Sequence, residues 1–227
     1  MPAVGPCGHA AGTDSSLRAL STLHAGMRRG QLSARLLDPY LRVRFRGAVT
    51  RPYWRLRFHS FGMKSILYRP EFIFRPWQMA VGDETMIMHH AWLEIGAPAW
   101  AVEEPVLRIG DDVSIRSHVT ISAAESVVIE DHVLIAAYTG IYDSDHTLRG
   151  PWNPVWNHAV TAPVRIGQGS WIGERVAVLR GADIGEGCII GANSVVKGSI
   201  PDHSIAVGAP ARVVGPAPEW ADQPVVS

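Results

Sequence analysis

The sequence predicts an all-β solenoid of short strands, and three observations predict it. From Ile166 an aliphatic residue returns every sixth position, at Ile166, Ile172, Val178, Ile184, Ile190 and Val196. Gly follows it at 167, 173, 185 and 191, and the fourth position after it is mostly small: Ser170, Val176, Ala182, Cys188, Ser194 and Ile200. The same spacing occurs upstream at Val81, Ile87 and Leu93, then at Ile109, Ile115, Ile121 and Val127, and after a phase slip at Ile129, Ile135 and Ile141, which makes 16 hexads. A period of six suits neither a 3.6-residue helix nor simple strand alternation. It suits a short extended face, a sharp corner and another short face, with the aliphatic inward and Gly, Asn or Asp easing the corner. Handedness and the number of faces per turn do not follow from the period.

A chain of 227 residues that is 47% hydrophobic and 19% charged has material for a sizeable core. Its 21 basic and 21 acidic side chains cancel, but they are segregated. Residues 1–75 hold 13 Lys and Arg against Asp14, Asp38 and Glu71, and the remainder holds 8 basic against 18 acidic residues. Composition changes near Pro76, after which 15 of the 22 Gly lie, so the expected organisation is a tail (1–14), a basic cap (15–75), the repeat (76–214) and a second tail (215–227). Two cysteines, Cys7 and Cys188, make no disulfide framework and suit a reducing compartment. Met1 to Gly12 lack the charged and apolar pattern of a secretory leader, and no run approaches the roughly 20 apolar residues of a membrane span. A cytoplasmic location is expected.

Within the cap, Leu17, Leu20, Leu23 and Met27 share one face of a short amphipathic helix over 15–29, with Ser before it and Gly30 after it. Leu41 to Arg46 alternates apolar residues with Arg as a strand does, while Asp38-Pro39 is a good helix start, and the two readings stay open. Ten Arg between Arg18 and Arg57 suit docking on the acidic repeat, which is the default, or contact with an anionic membrane. Nucleic acid ranks lowest, because no binding motif accompanies the charge. Trp77, Trp92 and Trp100 are expected to close the N-terminal end of the solenoid.

The run Ile166 to Val214, IGQGSWIGERVAVLRGADIGEGCIIGANSVVKGSIPDHSIAVGAPARVV, resembles the closing signature of the hexapeptide-repeat acyltransferases, most of all the sugar O-acetyltransferases. The resemblance covers roughly 60–214. It implies a left-handed parallel β-helix with three hexads per coil, hence about five coils here, and assembly as a homotrimer. It implies an acyl-CoA co-substrate, acetyl-CoA or another acyl-CoA, no tightly bound cofactor, and a sugar or glycan acceptor.

The repeat breaks at residues 142–165, and a loop leaving a solenoid is where a site usually lies. By the resemblance His146 is the catalytic base, with Asp143 three residues before it. Imidazole titrates near neutrality, so it can take the proton of a sugar hydroxyl as the acyl group transfers. Asp143, or Asp145, would fix its tautomer, with simple turn formation the alternative for both carboxylates. His118 stands where some relatives have an Asn that contacts the acceptor, so it either lines the cleft or is an exposed coil residue. Trp152 and Trp156 either stack on a sugar ring or pack on a neighbouring subunit. For CoA, the resemblance implies Gly173, Gly191 and Ala192 as small residues along the pantetheine arm, Trp171 as a groove wall, and Lys197 and Arg212 for the nucleotide phosphates. His89 and His90 read as structural.

No metal is expected, since the H-x4-H pair of the γ-type carbonic anhydrases is absent, although a three-His site across a trimer interface stays open. The alternatives to sugar O-acylation are an N-acyltransferase on an amino sugar, a γ-carbonic-anhydrase-like metalloenzyme, and a non-catalytic scaffold.

Overall fold

The computed structural model describes residues 39–96, 99, 103–147 and 159–218. The chain divides into Met1–Arg42, of which only the first residues of a helix are described, and Val43–Ser227, which carries the architecture below. The expected helix over 15–29 lies outside the described residues. Among the described residues no helix is long and apolar enough to cross a membrane.

Strands of two to four residues stack in parallel register on three faces, forming a left-handed β-helix. Inward residues follow one another down each face. Phe61, Val81, Ile109, Ile129, Ile166, Ile184 and Ile200 are in register on the first. Leu67, Ile87, Ile115, Ile135, Ile172, Ile190 and Ala206 line the second. Ile73, Leu93, Ile121, Ile141, Val178 and Val196 line the third. The core is this single column of side chains, most of them fully buried.

Six complete coils and a seventh on two faces result, where the hexad count implied about five. The stack starts at Ser60, ahead of the boundary expected at 76: the first coil (60–74) places Phe61, Leu67 and Ile73 inward at the same six-residue spacing, with Gly62 after Phe61. Val127 is not a hexad position of its own. It lies on one strand with Ile129, so the phase slip is a longer corner after Ala123.

Two corner devices explain the sequence pattern. The Gly after each aliphatic residue is needed for stacking and not for its dihedral: a Cβ on Gly167 would lie 2.5 Å from the Gly185 carbonyl carbon of the next coil. The left-handed positions fall instead on Lys64, Glu84, Asp112, His132 and His203 at the first-to-second corner, and on Arg69, His90, His118, Tyr138, Arg175 and Asn193 at the second-to-third. The small residues expected at the fourth position are buried, and Ser170 shows why. Its hydroxyl donates to the Gly185 carbonyl at 2.9 Å and accepts the Cys188 N–H at 3.0 Å, satisfying backbone groups inside the prism. Much of the acidity of this half is also structural. Asp83, Asp111 and Asp131 each accept a backbone N–H from the preceding coil, of Met63, Asp83 and Asp111 respectively, at 2.6–2.7 Å.

Helix α1 (Pro39–Arg57) settles the open reading of Leu41–Arg46 in favour of helix. Val43, Gly47, Arg51, Trp54 and Phe58 are its sheltered positions, a spacing of four, four, three and four that continues past its last residue. Gly47 lets the helix approach Ile66, Arg51 Nε donates to the Ser65 carbonyl at 3.1 Å, and Trp54, Phe58 and Phe61 meet edge to face. These aromatics close the N-terminal end. Trp77 and Trp92 are instead exposed, and Trp100 lies outside the described residues. Charge docking of the cap is likewise not what holds α1: among the described residues none of its six Arg side chains forms an ion pair with the acidic coils. At the other end, 204–207 pairs antiparallel with 212–216 and seals the column over Ala206 and Ala211.

Candidate functional site

Between the fourth and fifth coils the chain leaves the third-to-first corner as an antiparallel hairpin. Ser144–His146 pairs with Ala159–Thr161, setting His146 opposite Ala159, Asp145 opposite Val160 and Ser144 opposite Thr161. Residues 148–158, and with them Trp152 and Trp156, lie outside the described residues. His146 is exposed on this hairpin.

The two nearby carboxylates do other work than was expected of them. Asp143 is fully buried at the hairpin base. Its Oδ1 accepts the Ala124 N–H at 2.7 Å, and its Oδ2 accepts those of Glu125 at 2.7 Å and Ser126 at 2.8 Å. Its own carbonyl accepts the Ala162 N–H at 2.9 Å. Both oxygens are thus committed to the turn of the coil above, which is the turn-forming alternative and not the tautomer-fixing one. Asp145 is exposed and accepts from Arg180 Nε at 3.0 Å, a residue of the same corner one coil further on. The hairpin is therefore gripped from above through Asp143 and from below through Asp145.

The remaining predicted residues divide between corners. Lys197 is exposed on the same third-to-first corner as the hairpin, two coils beyond it. Gly173, Gly191 and Ala192 lie on the second-to-third corner, and Trp171 points outward from the second face, 43% exposed. Gly173 and Gly191 are close-approach positions: a Cβ would come within 2.6 Å of the Ile190 carbonyl oxygen in the first and 2.7 Å of Val207 Cγ1 in the second. Arg212 is exposed on the terminal antiparallel strand, with one guanidinium N–H on the Ala211 carbonyl. His118 is also on the second-to-third corner, so one prism does not bring it to His146. There it belongs to a ring stack that sequence reasoning missed. His90, His118 and Tyr138 lie nearly parallel at 4.7 Å spacings, and the Arg175 guanidinium sits 5.2 Å from the Tyr138 ring centre. The signal for it was available as polar or aromatic residues recurring at one corner in successive coils. Arg180 was missed because nothing in a hexad identifies the corner above it.

Comparison with known proteins agrees with this geometry. Residues 163–198 match the family model of the bacterial transferase hexapeptide (six repeats). A Mycobacterium tuberculosis protein named as an acetyltransferase is 62% identical over 55 residues, 24% of this chain and 18% of its own length. An Escherichia coli protein, WbbJ, named as a lipopolysaccharide biosynthesis O-acetyl transferase, is 50% identical over 54 residues, 24% of this chain and 28% of its own. The matched stretch thus spans between about a fifth and somewhat over a quarter of these relatives. A mutant of AntD, an N-acyltransferase from Bacillus cereus solved with dTDP and coenzyme A, superimposes with a TM-score of 0.62 at 20% identity, covering 75% of this chain and 90% of that one. Residues 163–198 thus carry the repeat of the bacterial hexapeptide transferases, and the described solenoid shares its fold with a solved acyltransferase.

Proposed function

We propose that the protein is an acyl-CoA-dependent O-acyltransferase, with acetyl the expected acyl group, that acts on a sugar hydroxyl with His146 as general base. The observation that carries this reading is the hairpin: it takes an exposed histidine out of an otherwise regular corner and is held at both strands' base by ionic and backbone contacts. In the reaction the acceptor oxygen attacks the thioester carbonyl carbon while His146 takes its proton. The C–S bond then breaks, and the proton goes to the departing CoA thiolate, so no acyl-enzyme is needed. Backbone N–H groups would stabilise the oxyanion, and Lys197, on the hairpin's own corner, would meet the CoA phosphates.

Gly173, Gly191, Ala192 and His118 sit on a different corner from His146 and Lys197. A site using both sets needs one corner of each subunit to face another corner of its neighbour, which a homotrimer supplies. The similarity to WbbJ supports a glycan acceptor. Acyl-CoA use suits a cytoplasmic location, and α1, with six Arg and no acidic residue, is the segment suited to an anionic membrane surface. The fold likeness to AntD favours a second reading in which the acceptor is an amine of a nucleotide-linked amino sugar.

The test follows CoA release with acetyl-CoA and a panel of sugars, nucleotide sugars and their amino counterparts. His146→Ala should lower turnover about 10² to 10⁴-fold while CoA binding persists. Normal turnover in the variant refutes the assigned base, and acceptance of amino sugars alone selects the second reading.

A further inference from the structure

At the second-to-third corner His89, His90 and His118 each offer one ring nitrogen, and these three atoms lie within 4.8 Å of one another. His89 and His90 come from the second coil and His118 from the third. The His90 and His118 rings are nearly parallel, 12° apart, with their centres 4.7 Å apart. His89 meets both at 69°, which brings its lone pair in from a different plane. His90 Nδ1 is 2.9 Å from Glu71 Oε2, leaving Nε2 as its outward nitrogen. A carboxylate behind a ligating imidazole fixes the ring and raises its basicity. Tyr138 stacks on the other face of His118 and Tyr68 meets His89 edge-on, so neighbouring rings limit the swing of two of the three imidazoles.

We propose that His89, His90 and His118 bind one divalent transition-metal ion of the Zn²⁺ class, with a fourth position left open to solvent or an oxygen ligand. Three imidazoles around tetrahedral zinc place their nitrogens about 3.3 Å apart, given bonds of about 2.0–2.1 Å. Rotation of the exposed His90 and His118 side chains toward His89 closes the present separation. The sites of carbonic-anhydrase type anticipated from sequence span subunits, whereas this one is complete within one chain and links two successive coils. Arg69, close to His89, opposes the ion, as does Arg175 beyond Tyr138, and Glu71 offsets them.

The test uses the tag-free full-length chain titrated with ZnCl₂ by calorimetry, and with CoCl₂ by visible absorption. One saturable ion per chain, an intense tetrahedral Co²⁺ band, and a Tm rise of roughly 5 °C at a hundredfold excess over Kd are expected. His89→Ala and His118→Asn should each weaken binding at least tenfold; Asn is chosen because position 118 is left-handed. His132→Ala, at the other corner, should leave Kd unchanged. Should His89→Ala fail to fold, His118→Asn and His90→Gln carry the same comparison. Absence of saturable binding, or equal affinity in the His118 and His132 variants, overturns the site. Neither readout depends on acyl transfer.

Discussion

Arg180 donates its Nε to Asp145 Oδ2 at 3.0 Å, tying the strand that bears His146 to the corner of the next coil. The pair is half-exposed, so its worth to global stability is about 0.2–1 kcal/mol. Its consequence is positional, since a base displaced by about 1 Å can cost about a hundredfold in rate. Arg180→Ala and Asp145→Asn should each reduce kcat five- to fiftyfold with denaturation midpoints nearly unchanged. The double variant should be no worse than either single one; additive losses would show that the two residues act separately.

Asp143 should behave in the opposite way. Replacing it with Ala strands three backbone N–H groups that now share a buried carboxylate, at a cost of about 3 kcal/mol or more. Urea unfolding is expected to show this loss. Asp143→Asn, which keeps one good acceptor, should recover part of it. A fully stable Asp143→Ala with a displaced pH–rate profile would return this residue to the role of His146 partner.

Two hexad glycines separate backbone from side-chain crowding. Ala at 173 drives a Cβ against the Ile190 carbonyl and the Ala192 N–H, neither of which can rotate away. Ala at 191 meets the movable tip of Val207. Gly173→Ala is expected to cost about 2–3 kcal/mol and Gly191→Ala less than about 1 kcal/mol, read from chemical denaturation of each variant.

Cys188 is buried, and that burial pushes its thiol up from the ordinary value. In a Cys7→Ser background the folded chain should resist alkylation at pH 8 and react only as urea unfolds it. The sign of the linkage is opposite to that of a paired carboxylate. The native state keeps the neutral thiol, so stability is retained below the ordinary thiol range and falls as pH rises through it. Rapid labelling of the native protein would contradict the buried placement.

Much of the stack was legible in advance because a hexad states one physical condition, an apolar side chain pointing inward at every corner-to-corner step. All sixteen expected positions are buried, fifteen of them in the registered columns of the three faces, while Val127 shares a strand with Ile129. The first coil was hidden because an aromatic, Phe61, heads its run of Phe61, Leu67 and Ile73 and Gly follows only the first of the three, at 62, while α1 packs directly above them. In the candidate site, the break in the repeat located the excursion, and the family resemblance singled out His146 and set Asp143 beside it. A position along a chain says nothing about which way a buried carboxylate turns.

By itself, then, the sequence determined the periodic core, the location of the excursion and the chemistry available there, because inward burial and corner crowding act on every coil alike. Only the tertiary structure decided the partners: Asp143 to the turn above, Asp145 to Arg180 below, His118 into a stack with His90, and three imidazoles to one corner. Those contacts join residues 17 to 35 positions apart through coil stacking, and a six-residue pattern carries no information about which corner side chains meet across it.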